Sequence, residues 1–251
     1  MASMIRIKKL TIAVEKKILV RDASFVLEHG KSYGLMGCNG SGKSTIAATL
    51  MAYPRYEVVQ GAIEWVQENG TVDVTKLSVY ERARLGMFLI MQYPVEIPGV
   101  SLATVTREAF RTLHPTKTME EYHERVEEAL TLLSFNRSFL ERSVNEGLSG
   151  GEKKISELFQ MLVLQPTFII VDEIDSGLDA EALKRVIRAF HWYKEKHPHA
   201  LFLIISHYPE FMKKVGMDQF FVMKEGTVVS DALLCVQKEV EKRQDTGSMH
   251  V

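Results

Sequence analysis

The sequence predicts an α/β fold, and three observations carry that prediction. A short run, Ser32-Tyr33-Gly34-Leu35-Met36, feeds a glycine-rich stretch that opens a helical pattern. A second run, Phe168-Ile169-Ile170-Val171, is apolar throughout and ends in Asp172-Glu173. A third, Leu201-Phe202-Leu203-Ile204-Ile205, has the same character. Strands that read as continuous hydrophobic runs are buried on both faces, as in a parallel sheet covered by helices.

Length and composition bound the rest. A chain of 251 residues suits one large α/β domain with a smaller lobe. A net charge of −1 gives no global signal for nucleic acid or an anionic membrane. The longest apolar runs are far too short to span a bilayer, so no membrane insertion is expected. The N-terminus lacks the apolar core of a secretory signal, and Met4 is a second candidate start after Met1-Ala2-Ser3. The two cysteines, Cys38 and Cys235, are expected as free thiols in a reducing cytoplasm. They are too few for one chain to hold a four-thiolate iron–sulfur cluster.

Along the chain, Ile5 and Ile7 alternate with charged residues, and Ile12 and Val14 lead to the polar turn Glu15-Lys16-Lys17. Residues 18–20, then Ala23, Phe25 and Leu27, return as a second strand. His29-Gly30 is a turn before the strand at 32–36. A helix starts near Gly42 and runs through Ile46, Ala47, Leu50 and Met51, and residues 62–74 read as a further hairpin. From Lys76 to Leu164 the pattern reads as helical. Thr118-Met119-Glu120-Glu121 is a capping box, and Met119, Tyr122, Val126, Ala129, Leu130 and Leu133 behind it share one helix face. Ser149-Gly150-Gly151-Glu152 is a second box, opening a helix through Leu158, Met161 and Leu162 that Pro166 ends. Ala182, Leu183, Val186, Ile187 and Phe190 mark an amphipathic helix, and residues 220–223 a last strand. Residues 244–251 have no apolar anchor and are expected to fray.

Three constellations carry chemistry. Gly37-Cys38-Asn39-Gly40-Ser41-Gly42-Lys43-Ser44-Thr45 fits G-x-x-x-x-G-K-[ST]. Its glycines let the backbone wrap a polyphosphate with N–H groups pointing inward, and the helix start adds a positive dipole end. In such a loop Lys43 reaches the β- and γ-phosphates and the Ser44 hydroxyl ligates Mg²⁺. Asp172 is then expected at a strand's C-terminal end near that Mg²⁺, where ligands bind in doubly wound sheets. Glu173 is placed to orient or deprotonate a water. Ser149, flanked by Gly150 and Gly151, makes a phosphate-sized opening at a helix N-terminus.

These three, with Gln92 after a strand-like run, the loop Ser176-Gly177-Leu178-Asp179 and His207 after a strand, resemble the ATP-binding-cassette (ABC) ATPase family over nearly the whole chain. The resemblance implies a P-loop NTPase cassette. Residues 1–75 and 165–251 would form a RecA-like core sheet with an antiparallel β subdomain, and residues 76–164 a helical subdomain. It also implies ATP and Mg²⁺ as cofactors and a transient head-to-tail homodimer on ATP binding. One chain supplies the phosphate loop, Gln92, Asp172, Glu173 and His207; the other supplies Ser149, Gly150 and Gly151 to the γ-phosphate. Gln92 is implied near Mg²⁺ and the water, His207 on the γ-phosphate, and Asp179 between the two sites. His197 and His199, around Pro198, read as solvated turn residues.

Longer stretches resemble one branch, the SufC-type ATPases of iron–sulfur cluster assembly. They are residues 88–100 (Phe88-Leu89-Ile90-Met91-Gln92-Tyr93-Pro94 onward), residues 145–154 around Leu148-Ser149-Gly150-Gly151, residues 159–164, Asp172-Glu173-Ile174-Asp175-Ser176-Gly177-Leu178-Asp179 and Ser206-His207-Tyr208. This resemblance implies a cytoplasmic protein with SufB/SufD-type scaffold partners, docked near residues 92–100, and no nucleic-acid role. Weak basal turnover, stimulated by the scaffold, is expected. The sequence departs from the pattern at Cys38, where proline is usual, at Ile155-Ser156, and at Ile174. It also has no aromatic residue around Ala13 and Val14 on which adenine would stack. Cys38, near a helix N-terminus, suggests a lowered thiol pKa and redox sensing; tolerance for a small residue is the plainer account. The alternative is the nucleotide-binding subunit of a membrane ABC transporter, which would use the same catalytic residues. A switch without turnover is disfavoured by the presence of both Glu173 and His207.

Overall fold

A computed structural model describes residues 3–229. Cys235 and residues 244–251 therefore lie outside the described residues. The chain begins with β1 (Met4–Val14), β2 (Lys17–Glu28), β3 (Ser32–Gly37), α1 (Lys43–Leu50), β4 (Glu57–Gln67), β5 (Gly70–Asp73), α2 (Val79–Arg84), β6 (Met87–Ile90) and β7 (Ile97–Ser101). It continues through α3 (Leu102–Leu113), α4 (Met119–Leu133), β8 (Ser143–Val144), α5 (Gly150–Leu164), β9 (Phe168–Asp172), α6 (Ala180–Lys196), β10 (Leu201–Ile205), α7 (Pro209–Val215), β11 (Gln219–Lys224) and β12 (Thr227–Val229).

Two principal sheets organise these elements. The first is antiparallel, in the order β2-β1-β4-β5. The second has the order β12-β11-β3-β10-β9-β6. Its strands from β11 to β6 run parallel, and β12 adds an antiparallel edge. Successive residues of a strand face opposite sides, and the apolar runs use both. Phe168 and Ile170 with Leu201, Leu203 and Ile205 pack under α1 and the antiparallel sheet. Ile169 and Val171 with Phe202 and Ile204 pack against α4, α5 and α6. This is the α/β cassette architecture the sequence predicts, with β3, β9 and β10 adjacent at its centre.

One reading needs correction. The segment from Lys76 to Leu164 is not helical throughout, because Met87–Ile90 pairs in parallel with Phe168–Val171 and forms an edge of the core sheet. This is the strand-like run before Gln92, with two of its four residues buried and two half-buried. Residues 97–101 and 143–144 form a further small antiparallel ribbon. The α2 helix before β6 has its own capping box, Ser78 with Glu81. Its Arg82 is buried and donates to the carbonyls of Thr49 and Leu50 at 2.7 and 2.8 Å, closing the C-terminus of α1 with a positive charge. His197 is also not a solvated turn residue. Its ring lies 4.4 Å from that of Tyr193, with Nε2 buried, whereas His199 is exposed.

Candidate functional site

The phosphate-type loop joins β3 to α1 across the middle of the core sheet. Its shape depends on glycine at both ends. Gly37 has φ 145°, and a Cβ there would meet the Met223 carbonyl oxygen at 2.4 Å. Gly42 is the N-cap of α1 at φ 105°, ψ 9°, a left-handed conformation. Lys43, only 4% exposed, folds under the loop, with Nζ donating to Gly37 O at 2.8 Å and Cys38 O at 3.0 Å. The loop thus engages Cys38 through its carbonyl, and the residue itself is exposed. Ser41 Oγ is buried with no hydrogen-bond partner among the described residues.

The end of β9 brings the carboxylates to this loop. Ser44 Oγ donates to Asp172 Oδ1 at 3.0 Å. Burial, opposed by that hydrogen bond, pushes the Asp172 carboxyl up to about 6. A hydroxyl and a buried carboxylate are hard oxygen donors, and this pair fits Mg²⁺. Glu173 then turns out of the strand at φ 49°, a backbone conformation that residues other than glycine rarely adopt. Its N–H is held by Ile205 O at 3.0 Å, at the end of β10. Its carboxylate takes Gln92 Nε2 on one oxygen at 2.5 Å and faces His207 Nε2 with the other at 2.7 Å. Gln92 follows β6 and His207 follows β10, so three strand ends converge on one carboxylate.

The structure therefore gathers most of the expected residues. Asn39, Gly40, Gly42, Lys43, Ser44, Thr45, Gln92, Glu173 and His207 line one cleft of about 420 Å³ together with Leu19. Gly37 and Cys38 line an adjoining cleft with Ser206 and Tyr208. Ser149, Gly150 and Gly151 do not join either cleft. They open a separate one of about 380 Å³, beside Leu178, Asp179 and Arg185. Ser149 caps α5 reciprocally with Glu152, and Asp179 caps α6 by accepting from Ala182 N at 2.7 Å.

Three buried ionisable side chains were given no role in the site by the sequence reading. Lys154, on α5, donates to the Glu173 and Ser176 carbonyls at 2.6 and 2.5 Å, and burial lowers its pKa. Glu157, one turn on, accepts from Met91 N at 2.6 Å, and burial pushes its carboxyl up to about 8. Asp175 accepts from Ser206 Oγ at 2.5 Å, and burial raises its carboxyl too. The sequence did hold a signal for the first two: Lys154 and Glu157 lie one turn before Leu158 and Met161, on the apolar stripe of α5.

Comparison with known proteins gives the family. Residues 20–176 match the ABC transporter family. A probable ABC transporter ATP-binding protein of Streptococcus pyogenes is 38% identical over 244 residues, covering 95% of this chain and 93% of that protein. The probable ATP-dependent transporter SufC of Escherichia coli is 37% identical over 245 residues, covering 96% of each. Among solved structures, the dimeric post-hydrolysis state of the ATP-binding cassette MJ0796, bound to ADP and Pi, shares the fold. Its TM-score is 0.72 at 18% identity, over 89% of this chain and 96% of that one. Among the described residues no helix is long and apolar enough to cross a membrane. The chain belongs to the ABC ATPase family, as an ATP-hydrolysing cassette of the SufC type.

Proposed function

We propose that this cassette powers iron–sulfur cluster assembly on a SufB/SufD-type scaffold in the cytoplasm, through ATP-dependent head-to-tail dimerisation. The observation that carries the catalytic part is the Glu173 carboxylate, held between Gln92 and His207 beside the Ser44–Asp172 pair. Residues 37–45 cradle the phosphates, with Lys43 on the β- and γ-phosphates. Ser44, Asp172 and Gln92 hold Mg²⁺, which when bound neutralises charge on the phosphates. Glu173 accepts a proton from the attacking water, Gln92 fixes the orientation of that water, and His207 contacts the γ-phosphate. The separate cleft at Ser149-Gly150-Gly151 favours a site completed by a second chain, because one copy alone keeps the two halves apart.

Support for the assembly role comes from the loop after Gln92. Tyr93 is 80% exposed, and Val95 and Ile97 are exposed beside it. Asn145 Nδ2 fixes this loop by donating to Val95 O at 2.8 Å, and Lys153 pairs with Glu96 at 2.5 Å. An ordered, apolar loop is a surface on which a scaffold can dock. The likeness to the E. coli SufC points the same way. Basal turnover should be weak, because association entropy opposes dimer closure and a scaffold offsets it by tethering.

Two experiments test the proposal. Glu173→Gln should keep ATP binding, lose hydrolysis and accumulate as a dimer in size-exclusion chromatography with ATP; hydrolysis at the wild-type rate overturns the role of Glu173. Co-purification from native cells should recover a large partner without membrane spans that raises turnover. Recovery of an integral-membrane partner instead supports the second reading, a transporter subunit, which the name of the S. pyogenes relative favours.

A further inference from the structure

The mechanism above uses only the N-terminus of α5, yet this helix also reaches the other half of the site. Glu157 lies two turns past Ser149 and is 6% exposed. Its Oε2 accepts the Met91 N–H at 2.6 Å. The pairing of β6 with β9 ends at Ile90, and Met91 is the first residue beyond it. The next residue is Gln92, whose Nε2 bonds the Glu173 carboxylate at 2.5 Å. A planar peptide separates each pair of adjacent residues, so fixing the Met91 amide limits where the Gln92 side chain can begin.

A buried carboxyl on a packed helix is costly to keep, and burial of this one pushes it up to about 8. The neighbouring Lys154 points its ammonium at the Glu173 and Ser176 carbonyls instead. The contact that Glu157 makes is thus with the backbone leading to Gln92. We propose that Glu157 is a positioning residue for ATP turnover: it anchors the Met91 amide so that Gln92 presents its side chain to Glu173. The inference rests on the assignment of Gln92 and Glu173 to catalysis.

The test measures steady-state ATP turnover by the full chain carrying Glu157→Met or Glu157→Gln, each alone and combined with Gln92→Ala. Methionine nearly matches glutamate in length but offers no comparable acceptor, whereas glutamine keeps a carbonyl for the amide. An unpaired, half-buried amide should lower kcat about tenfold in Glu157→Met and leave KM within about twofold, while Glu157→Gln stays near wild type. On the Gln92→Ala background, Glu157→Met should have no further effect, as expected for residues acting as one unit. If the two losses multiply, if Glu157→Gln is as impaired as Glu157→Met, or if KM rises with kcat unchanged, the inference is overturned. Should Glu157→Met fail to fold, Glu157→Asp, which draws the carboxyl back by one methylene, must show the same kcat loss. A Gln92→Ala protein with wild-type turnover would instead refute the assignment of Gln92, so the two failures are distinguishable.

Discussion

Replacing Gly37 by alanine tests how tightly the core sheet fixes the phosphate loop. Gly37 ends β3 and pairs with Met223 of β11. Its φ of 145° lies where side chains are disfavoured, and an added Cβ would sit 2.4 Å from Met223 O and 2.9 Å from Ser41 Oγ. A carbon cannot remain that close to a carbonyl oxygen, and the obstacle is backbone that no rotamer change can clear. The backbone conformation costs about 1–3 kcal/mol. Separating β11 from β3 adds about 1 kcal/mol for each ladder bond weakened. With about two such bonds weakened, the total of about 3–5 kcal/mol is a large share of the roughly 5–15 kcal/mol that holds a typical domain together. Gly40→Ala is the internal control, because its φ of 76° is also left-handed but a Cβ there meets nothing within 4 Å. It should cost about 1–2 kcal/mol. Urea unfolding followed by far-UV circular dichroism reads both variants. Gly37→Ala should unfold at a clearly lower midpoint than Gly40→Ala, with the same slope; coincident midpoints would refute the close approach of β11.

Other expectations follow from the same geometry. The Glu157 carboxyl is raised from 4.5 to about 8 in the folded chain, so its contribution to stability is complete below about 4.5 and is lost as pH rises through about 8. The stability of Glu157→Gln relative to wild type should therefore grow by about 1.4 kcal/mol or less per pH unit up to about pH 8, and parallel curves would contradict the burial. Ser44→Ala removes the hydroxyl that bonds Asp172 and should raise the Mg²⁺ concentration needed for half-maximal turnover, as read by a Mg²⁺ titration; an unchanged requirement removes Ser44 from the metal site. Leu19 is the residue from β2 that lines the cleft beside the phosphate loop, and no Phe, Tyr or Trp ring lines it among the described residues. Without base stacking, worth about 1–3 kcal/mol, GTP should be hydrolysed within about tenfold of ATP, whereas a preference for ATP above about a hundredfold would show another source of base selectivity.

The site was largely legible because each of its parts is a local run with its own physical signature. The loop at residues 37–45 needs glycines at fixed spacing. The Asp172-Glu173 pair ends a strand that is apolar on both faces. Ser149 is marked by the capping glutamate three residues later. What escaped the sequence depends on packing between distant segments. The run before Gln92 reads as strand-like, but its place at the edge of the core sheet depends on Phe168–Val171 beside it. The turn at Glu173, with φ 49°, could not be read from a residue type that normally avoids it.

The charges on α5 show how the two cases connect. An amphipathic helix with Lys154 and Glu157 on its apolar stripe looks like a broken pattern, and broken patterns mark places where burial is compensated. Here both are compensated by backbone next to the catalytic residues, Lys154 by Glu173 O and Ser176 O, Glu157 by Met91 N. The same helix begins at Ser149, in the cleft that a second chain's nucleotide would enter. If a second chain's nucleotide enters that cleft, as proposed, the helix it meets also holds the backbone at Glu173 and before Gln92, which would couple the two half-sites of a head-to-tail pair.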